Sequence, residues 1–326
     1  MGRKRIKHLG RKKNRKLKFI DKVKRIGIVV ALILGIVALG KITIYLEELY
    51  KGKNLSENTI EFYIDVADEV GDKKVQLSWV ELLAIDKVKY NNDLTDIKKK
   101  EVIDNGELFI SKTKDDDGNT VYKVKPFDTV LDKIGFSKEE KNKANKYVKE
   151  LTKTSLSGSK LSNQSEKVEF VKTVAQKSKA NYTDYGILPS ITTAQAILES
   201  GWGQSSLTKN SNNVFGIKAD SRWTGKKVQV STTENYNDKI IDSFRVYNSI
   251  EESIKDQGKF LNENKRYREH GLFNANHYTT QAQALEDAGY STKKNKEGEP
   301  IYADMLISLI RDYNLQILDR EVQTLK

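Results

Sequence analysis

A run of fifteen uncharged, mostly apolar residues constrains most strongly what this 326-residue chain can fold into. The run, IGIVVALILGIVALG, covers Ile26–Gly40 and continues after Lys41 as ITIYL. Residues 26–46 are long enough to cross a bilayer, because the long side chain of Lys41 can carry its charge to the membrane interface. The sequence therefore predicts a transmembrane helix at 26–46 in contact with membrane lipid, and leaves only the later residues for globular domains.

The basic surplus of the chain lies in the tail that precedes this segment. Residues 1–25 hold 13 Lys and Arg side chains and one acid; removing them from the totals of 57 basic and 45 acidic residues leaves 44 of each. Basic residues beside an apolar segment mark its cytoplasmic side, so we predict a cytoplasmic tail at 1–25 and an extracytoplasmic body. The alternative is a cleaved signal peptide, because Ala38-Leu39-Gly40 resembles a cleavage site. The balanced body gives no support for nucleic acid as a partner.

Reactive and metal-binding side chains are few. The chain has no cysteine and three histidines, His8, His270 and His277. It can therefore form no disulfide, thiolate metal site or cysteine nucleophile, and its histidines do not favour a zinc site. We predict no metal and no cofactor.

Two regions and a linker follow the apolar segment. Residues 47–151 contain a Ser-x-x-Glu capping box that begins at Ser78 and a hairpin turn at Asp117-Gly118. Residues 152–165, TKTSLSGSKLSNQS, are half serine and threonine, which is typical of a linker. The sequence predicts a small α+β accessory module at 47–151, with a spacer or docking role, and a second domain at 166–326.

The second domain has helical periodicity over most of its length. Ser190 is the expected N-cap of a helix that ends at Gly201. KKVQVSTTENY and KIIDSFRVY alternate on either side of Asn237-Asp238, which predicts a β-hairpin. The predicted fold class is α+β, mainly helical, with a small β-hairpin after the helix that carries Glu199.

Glu199 lies in the last turn of that helix, where acids are unfavourable. The unpaired carbonyl groups there carry partial negative charge, which destabilises a carboxylate, and burial acts in the same direction. We therefore expect a raised pKa for Glu199, which a general acid needs to stay protonated near neutral pH. Gly201 and Gly203 leave room for a substrate. The alternative is an exposed surface glutamate.

Five motifs extend the hypothesis: TTAQAILESGWGQSSL, SNNVFGIK, TTENY, FRVYNSIEESI and AGYSTKK followed by IYADMLISLI. In this order they resemble the family 73 glycoside hydrolases, bacterial peptidoglycan endo-β-N-acetylglucosaminidases, over about residues 166–319. The resemblance implies a lysozyme-like α+β fold. It also implies an enzyme that cleaves the β-1,4 bond after N-acetylglucosamine in peptidoglycan glycan strands. Secreted or membrane-tethered wall hydrolases are usual in this family, which agrees with the predicted membrane anchor and a catalytic domain that faces the cell wall. A muramidase that cuts the other glycosidic bond, and a non-catalytic wall-binding or assembly protein, are the alternatives.

The resemblance assigns roles residue by residue. Glu199 matches the catalytic general acid, Glu234 in TTENY matches the second carboxylate, and Tyr290 in AGYS matches a tyrosine beside the acid. Four further matches are expected to bind substrate or border the cleft: Asn213, Phe215, Gly216 and Tyr302.

Three side chains are substrate-binding candidates by their chemistry. Trp202 and Trp223 offer aromatic surfaces of the kind that stack on sugar rings, although Trp202 could equally be a core residue. Gln195 lies one turn before Glu199 and could orient it, or it could simply lie on a polar helix face.

One motif departs from the family, and the mechanism stays open. AGYSTKKNKEGEP carries a lysine-rich insertion, with Lys293 at the position of an acid in the family, which predicts altered substrate contacts at this rim. Glu234 could form an inverting pair with Glu199 at about 6.5–9.5 Å, whereas a retaining pair needs about 5 Å. The alternative is substrate assistance, in which the N-acetyl oxygen attacks and Tyr290 steadies it.

Overall fold

A computed structural model describes residues 41, 55–155, 164–234 and 238–323. The predicted basic tail and transmembrane helix lie outside these residues, apart from Lys41. Within the described ranges, no helix is both long enough and apolar enough to span a bilayer. The membrane segment at 26–46 therefore stays a prediction.

Five helices and a hairpin make up residues 55–155. Ser78 is confirmed as the N-cap, because its Oγ accepts the backbone N–H of Glu81 at 3.3 Å, but the Glu81 carboxyl group pairs with Arg320 and does not complete the box. The hairpin is also confirmed, and Gly118 in its turn has a left-handed φ of 80°. The elements are α1 (Glu57–Gly71), α2 (Trp79–Lys89), α3 (Lys99–Glu107), β1 (Ile110–Lys114), β2 (Thr120–Val124), α4 (Phe127–Ile134) and α5 (Lys138–Ser155).

The predicted linker at 152–165 begins inside a helix. Helix α5 continues to Ser155, and both Leu151 and Ser155, one turn apart, are buried. Burial on one face holds these residues in the helix despite their Ser/Thr-rich composition. Residues 152–155 of the predicted linker are thus helical, Ser165 already belongs to the next helix, and residues 156–163 lie outside the described part. The linker itself stays a prediction.

Helices also dominate residues 164–323, around one antiparallel hairpin. Its strands pair from Lys227 opposite Arg245 to Glu234 opposite Asp238. The mainly helical α+β class is confirmed, while the lysozyme-like relation stays a prediction. The elements are α6 (Ser165–Tyr185), α7 (Pro189–Ser200), α8 (Ser206–Ser211), β3 (Lys227–Glu234), β4 (Asp238–Arg245), α9 (Ile250–Glu263), α10 (Lys265–Glu269), a 3-10 turn (Leu272–Asn274), α11 (Tyr278–Asp287), α12 (Tyr302–Asp312) and α13 (Ile317–Gln323).

Helix α7 lies in the middle of the hydrophobic core. Residues 189–197 are all buried, and its apolar side chains pack with those of α6, α9, α11 and α12. Its polar side chains are buried too, so each needs a hydrogen-bond partner; Thr193, for example, donates its hydroxyl to the Pro189 carbonyl at 2.7 Å. The partner of Gln195 belongs to the candidate site.

The start of α7 differs from the prediction. Leu188 is the N-cap, not Ser190, because Pro189 takes the first helical position, where its missing N–H costs nothing. Ser190 instead donates its backbone N–H and its hydroxyl to the carboxyl group of Asp319, at 2.8 and 2.6 Å. A side chain from α13 thus accepts two hydrogen bonds that the first turn of α7 would otherwise leave without partners.

Residues 58–326 form one compact unit. Arg320 of α13 pairs with Glu81 of α2, with Nε and Oε2 2.9 Å apart, and both side chains are buried. Arg311 of α12 pairs with Asp68 of α1 at 2.6 Å. These charge pairs fix residues 58–155 against the later helices, so this part of the accessory region packs directly on the second domain. Its function as a separate module stays a prediction.

Candidate active site

A three-residue left-handed turn ends α7 immediately after Glu199 and Ser200. Gly201, Trp202 and Gly203 have φ values of 56°, 63° and 76°. Gly203 has a second constraint, because a Cβ there would lie 2.7 Å from the ring of Phe170. The two glycines therefore let the chain turn sharply and pack closely, which leaves Glu199 half-buried at the end of a buried helix.

The Glu199 carboxyl group receives one hydrogen bond from within the described residues. Tyr302, the first residue of α12, donates its hydroxyl to Glu199 Oε1 at 3.0 Å. Burial raises the pKa of Glu199, while the Tyr302 hydrogen bond and the charge of Lys293 act in the opposite direction. The expected direction of the shift is confirmed, and its main cause is burial.

Tyr290 lies beside this pair. Its ring stacks on that of Tyr302, with centroids 5.2 Å apart and planes 21° apart. Burial, followed by the charge of Glu199, raises the pKa of Tyr290 well above its ordinary value. The structure therefore brings Glu199, Tyr290 and Tyr302 together, as the resemblance implied.

Gln195 reaches Glu199 through Tyr302. Its side chain is fully buried, and its Nε2 donates to the Tyr302 hydroxyl at 3.1 Å. Gln195 therefore does not lie on a polar helix face. Tyr302 is itself buried, and its hydroxyl is engaged by Glu199 and Gln195, so it supports the acid from behind and does not present a surface for substrate.

The segment 213–217 is held in place mainly by the side chain of Asn213. Its Nδ2 donates to the carbonyls of Ile217 and Arg245, both at 2.9 Å, and its Oδ1 accepts the N–H of Ile217. Phe215 is buried in the core, and Gly216 has a left-handed φ of 63°. Asn213 and Phe215 therefore shape the loop, and the structure shows neither as a free surface for a sugar.

The two tryptophans are packed differently. Trp202 lies edge-on to Tyr313, with centroids 4.8 Å apart, and packs on the core cluster, which favours its reading as a core residue. Trp223 is half-buried, donates its Nε1–H to the Lys226 carbonyl, and has the Arg245 guanidinium 4.6 Å from its ring centroid. Both tryptophans are half-buried, but Trp223 packs outside the core cluster, against Tyr247 and Arg245.

Glu234 closes strand β3, where its backbone pairs with Asp238. Side chains of residues 232–240 lie outside the described part, so its role as the second carboxylate stays a prediction. In the described ranges, no group of three or more His, Asp or Glu side chains is placed to hold a metal ion.

Sequence reasoning missed two buried amides behind Gln195. Gln257 of α9 donates its Nε2 to Gln195 Oε1 at 2.8 Å, and Asn181 of α6 donates to Gln257 Oε1 at 2.9 Å. The available signal was a glutamine on the apolar face of α9, between the buried Ile254 and Leu261. A polar residue at a core position needs a partner, although the sequence does not say which.

Comparison with known proteins gives a match over the same region. Residues 175–315 match the Glucosaminidase family, described as mannosyl-glycoprotein endo-beta-N-acetylglucosaminidase. The chain is 33% identical over 165 residues to exo-glucosaminidase LytG of Bacillus subtilis, covering 48% of this chain and 55% of LytG. It is 34% identical over 166 residues to peptidoglycan hydrolase FlgJ of Vibrio parahaemolyticus, covering 49% of this chain and 51% of FlgJ.

A solved structure is also similar to part of the chain. The glycoside hydrolase domain of Salmonella typhimurium FlgJ shows 34% sequence identity and a TM-score of 0.38, covering 45% of this chain and 88% of that domain. The chain spans about half the length of the curated relatives it matches. The match at 175–315 lies inside the region for which the sequence motifs predicted it.

Proposed function

Residues 175–315 are a glucosaminidase-family region, and from this premise we propose that the chain is a peptidoglycan hydrolase. Its reaction is cleavage of the β-1,4 bond on the reducing side of N-acetylglucosamine in glycan strands. The observation that carries the proposal is the half-buried Glu199, whose pKa is raised and whose Oε1 is held by Tyr302.

Glu199 acts as the general acid. A sugar oxygen is a poor leaving group, so the acid must hold its proton near neutral pH and deliver it as the bond breaks. Burial at the end of α7 keeps the proton on, and the half-exposed position lets substrate approach. The reaction needs two carboxyl groups, or one carboxyl group and the N-acetyl group of the substrate.

Glu234 is the proposed second carboxylate, which activates water or stabilises the positive charge that develops on the sugar ring. Its place on the β3–β4 hairpin supports this, because the hairpin follows α7 in the chain and carries the TTENY motif. In the competing route the N-acetyl oxygen attacks the anomeric carbon and Tyr290 steadies it. A Glu234→Gln variant separates the two: a loss of about 10²-fold or more supports the carboxylate route, and near-normal turnover supports substrate assistance.

Residues 26–46 are the proposed membrane anchor, with the basic residues 1–25 in the cytoplasm and the catalytic residues facing the cell wall. The support is the length of the apolar run and the one-sided positive charge. Protease added outside cells stripped of their wall should digest the body and leave the tail protected. A soluble, processed product that begins near Lys41 would instead indicate a cleaved signal peptide.

The reaction itself is tested by the product. Purified peptidoglycan is digested with the full chain in detergent, the new reducing ends are reduced with borohydride, and the reduced sugar is identified by mass spectrometry. Reduced N-acetylglucosamine supports the proposal, and reduced N-acetylmuramic acid replaces it with a muramidase. If neither appears, the non-catalytic wall-binding role is favoured. A Glu199→Gln sample serves as the control for contaminating hydrolases.

A further inference from the structure

Four buried side chains form a hydrogen-bond chain that ends at the catalytic acid. Asn181 Nδ2 donates to Gln257 Oε1 (2.9 Å), Gln257 Nε2 to Gln195 Oε1 (2.8 Å), and Gln195 Nε2 to the Tyr302 hydroxyl (3.1 Å). Tyr302 then donates to Glu199 Oε1 (3.0 Å). The three amides and the phenol come from α6, α9, α7 and α12, so four helices meet in this chain.

One backbone carbonyl group determines which end of each amide in the hydrogen-bond chain donates and which accepts. An amide side chain can point either way, and the choice must come from its partners. Asn181 Nδ2 lies 2.8 Å from the carbonyl oxygen of Ile254, which can only accept, so the amide nitrogen of Asn181 must face it. The same nitrogen faces Gln257, which must therefore present its oxygen, and each later amide is oriented in turn. The result is a row of donors that all point towards Glu199.

Water cannot stabilise a reversed orientation of these amides, because the four side chains are buried. Asn181 and Tyr302 are 1% exposed, and Gln257 and Gln195 are 0% exposed. Reversing one amide would bring two oxygens or two nitrogens face to face at hydrogen-bond distance in a buried site, which costs at least the bond and the desolvation of both groups. The hydroxyl of Tyr302 has a single hydrogen. Since its oxygen already accepts from Gln195, that hydrogen is available only to Glu199.

We propose that Gln257 and Asn181 are positioning residues, which keep the Tyr302 hydroxyl a donor to Glu199 Oε1 and so leave the transferable proton on Oε2. The proposal rests on the assignment of Glu199 as the general acid. An acid whose Oε1 accepts from Tyr302 cannot also carry its own hydrogen towards Tyr302. Among the described residues Oε2 has no partner, and it is the oxygen from which a sugar oxygen can take the proton.

The hydrogen-bond chain also affects the pKa of Glu199, although its three amide side chains are uncharged. The titratable groups that face Glu199 are Tyr302 on α12, Tyr290 after α11, and Lys293 between these helices. The side chains of the hairpin at 232–240 lie outside the described part. Breaking the hydrogen-bond chain at Gln257 leaves the Gln195 amide without the partner that orients it. Gln195 then no longer holds Tyr302 firmly, the hydrogen bond from Tyr302 to the carboxylate weakens, and the pKa of Glu199 should rise. Because the general acid must be protonated, the alkaline limb of the pH–activity profile, where activity falls as the pH rises, should move to higher pH.

The test compares two buried glutamines. Gln257→Met keeps the volume of the side chain and removes both of its hydrogen bonds. Gln281→Met is the matched control, because Gln281 is also 0% exposed but bonds only backbone groups, among them Leu188 N–H and the Gly186 carbonyl. Activity of the full-length chain on peptidoglycan is measured from pH 4 to pH 9, with kcat, KM and the melting temperature for each variant.

We expect Gln257→Met to lower kcat about tenfold, to leave KM within about twofold, and to shift the alkaline limb upward. Gln281→Met should lower the melting temperature and leave the limb in place. A Gln257→Met protein that loses activity only in proportion to its unfolded fraction, with an unshifted limb, overturns the proposal. If the wild type itself releases no reducing ends, the proposed function has failed, which is a separate result.

Gln257→Glu gives a second test if the methionine variant does not fold. Its carboxylate can only accept, so it should turn Gln195 round, and Gln195 would then present Oε1 to Tyr302. The Tyr302 hydrogen would move to Gln195, and Tyr302 would accept the proton of Glu199 at Oε1. We expect kcat to fall at least as far as in Gln257→Met although the side chain keeps its size. Wild-type kcat with an unshifted limb in this variant contradicts the proposal.

Discussion

The two ends of helix α7 each meet a carboxyl group, and the comparison separates a structural acid from a chemical one. Asp319 binds the N-terminal turn through Ser190, and Glu199 lies in the C-terminal turn. Burial is the main cause of a raised pKa in both, and it raises the pKa of Asp319 to about 7. A raised pKa alone therefore does not mark the catalytic group.

The two acids differ in how their oxygens are occupied. Both oxygens of Asp319 accept from Ser190, and the side chain is fully buried. Glu199 uses one oxygen to accept from Tyr302 and is half-buried. The N-terminal acid is therefore committed to holding the helix, whereas the C-terminal acid keeps one oxygen for chemistry. This difference predicts that changes at the two ends affect different measurements.

Glu199→Gln should have the largest effect on activity. The amide still accepts from Tyr302 but has no acidic proton, so turnover should fall by about 10²–10⁴-fold while the melting temperature stays close to that of the wild type. The measurement is the rate of new reducing ends on peptidoglycan, with thermal unfolding in parallel. A variant that keeps more than about a tenth of the wild-type rate contradicts the role of Glu199 as the general acid.

Asp319→Ala should have the largest effect on stability. It leaves the N–H and the hydroxyl of Ser190 without their partners in a buried site, so we expect the free energy of unfolding to fall by about 3 kcal/mol. Urea unfolding measures this loss, and the rate per folded molecule should change far less than in Glu199→Gln. Equal loss of activity per folded molecule in both variants would remove the distinction between the two ends.

The parts of the candidate site that could be predicted are those identified by residues close together in the sequence. Glu199 could be identified because the two glycines that end its helix are its near neighbours in sequence, and the hairpin because its strands alternate around a short turn. Ser190 was misassigned as an N-cap because its partner, Asp319, lies 129 residues away. Short-range patterns say where a helix ends but not which distant side chain meets it.

The interior polar residues were harder for the same reason. Periodicity places Gln195 on α7 but cannot say whether a polar residue faces water or another buried amide. Its partner Gln257 is 62 residues away, and Asn181 is a further 76 residues from Gln257. Their pairing depends on how α6, α7 and α9 pack, which is a property of the whole fold. The role of Trp202 depends on the same packing, because its core position follows from its contact with Tyr313 on a distant helix terminus.

Gly258→Ala tests the packing that supports the catalytic end of α7. A Cβ at this position would lie 2.6 Å from Asn181 Oδ1 and 2.8 Å from Tyr185 Cδ2, so α9 must move away from α6. We expect a loss of about 1–3 kcal/mol in the free energy of unfolding, although alanine is the better helix former, together with a several-fold lower kcat. Lys255→Ala, on the exposed face of α9, is the control and should change neither.

The pH dependence of stability tests the N-terminal acid. The folded-state pKa of Asp319, about 7, lies above its ordinary value of 3.8, so the folded state binds this proton more tightly. Its contribution to stability is present below about pH 4 and is lost as the pH rises through about 7. Asp319→Asn does not titrate. Its Oδ1 can still accept from the Ser190 N–H, and its Nδ2 can donate to the Ser190 hydroxyl oxygen. Wild type should therefore lose stability relative to this variant between pH 4 and pH 7, and a constant difference over that range contradicts the prediction.

Lys293→Gln should have the smallest effect and act only on the catalytic acid. The charge of Lys293 opposes the rise in the pKa of Glu199, so its removal should move the alkaline limb of activity upward, by a few tenths of a pH unit at about 0.05 M salt. Because Lys293 is exposed, the shift should disappear near 1 M salt, where the screening length falls to about 3 Å. Lys296→Gln, in the same insertion, is the matched control, and the limb should stay in place. An equal shift in both variants would mean that the insertion acts on Glu199 through its overall charge and not through Lys293.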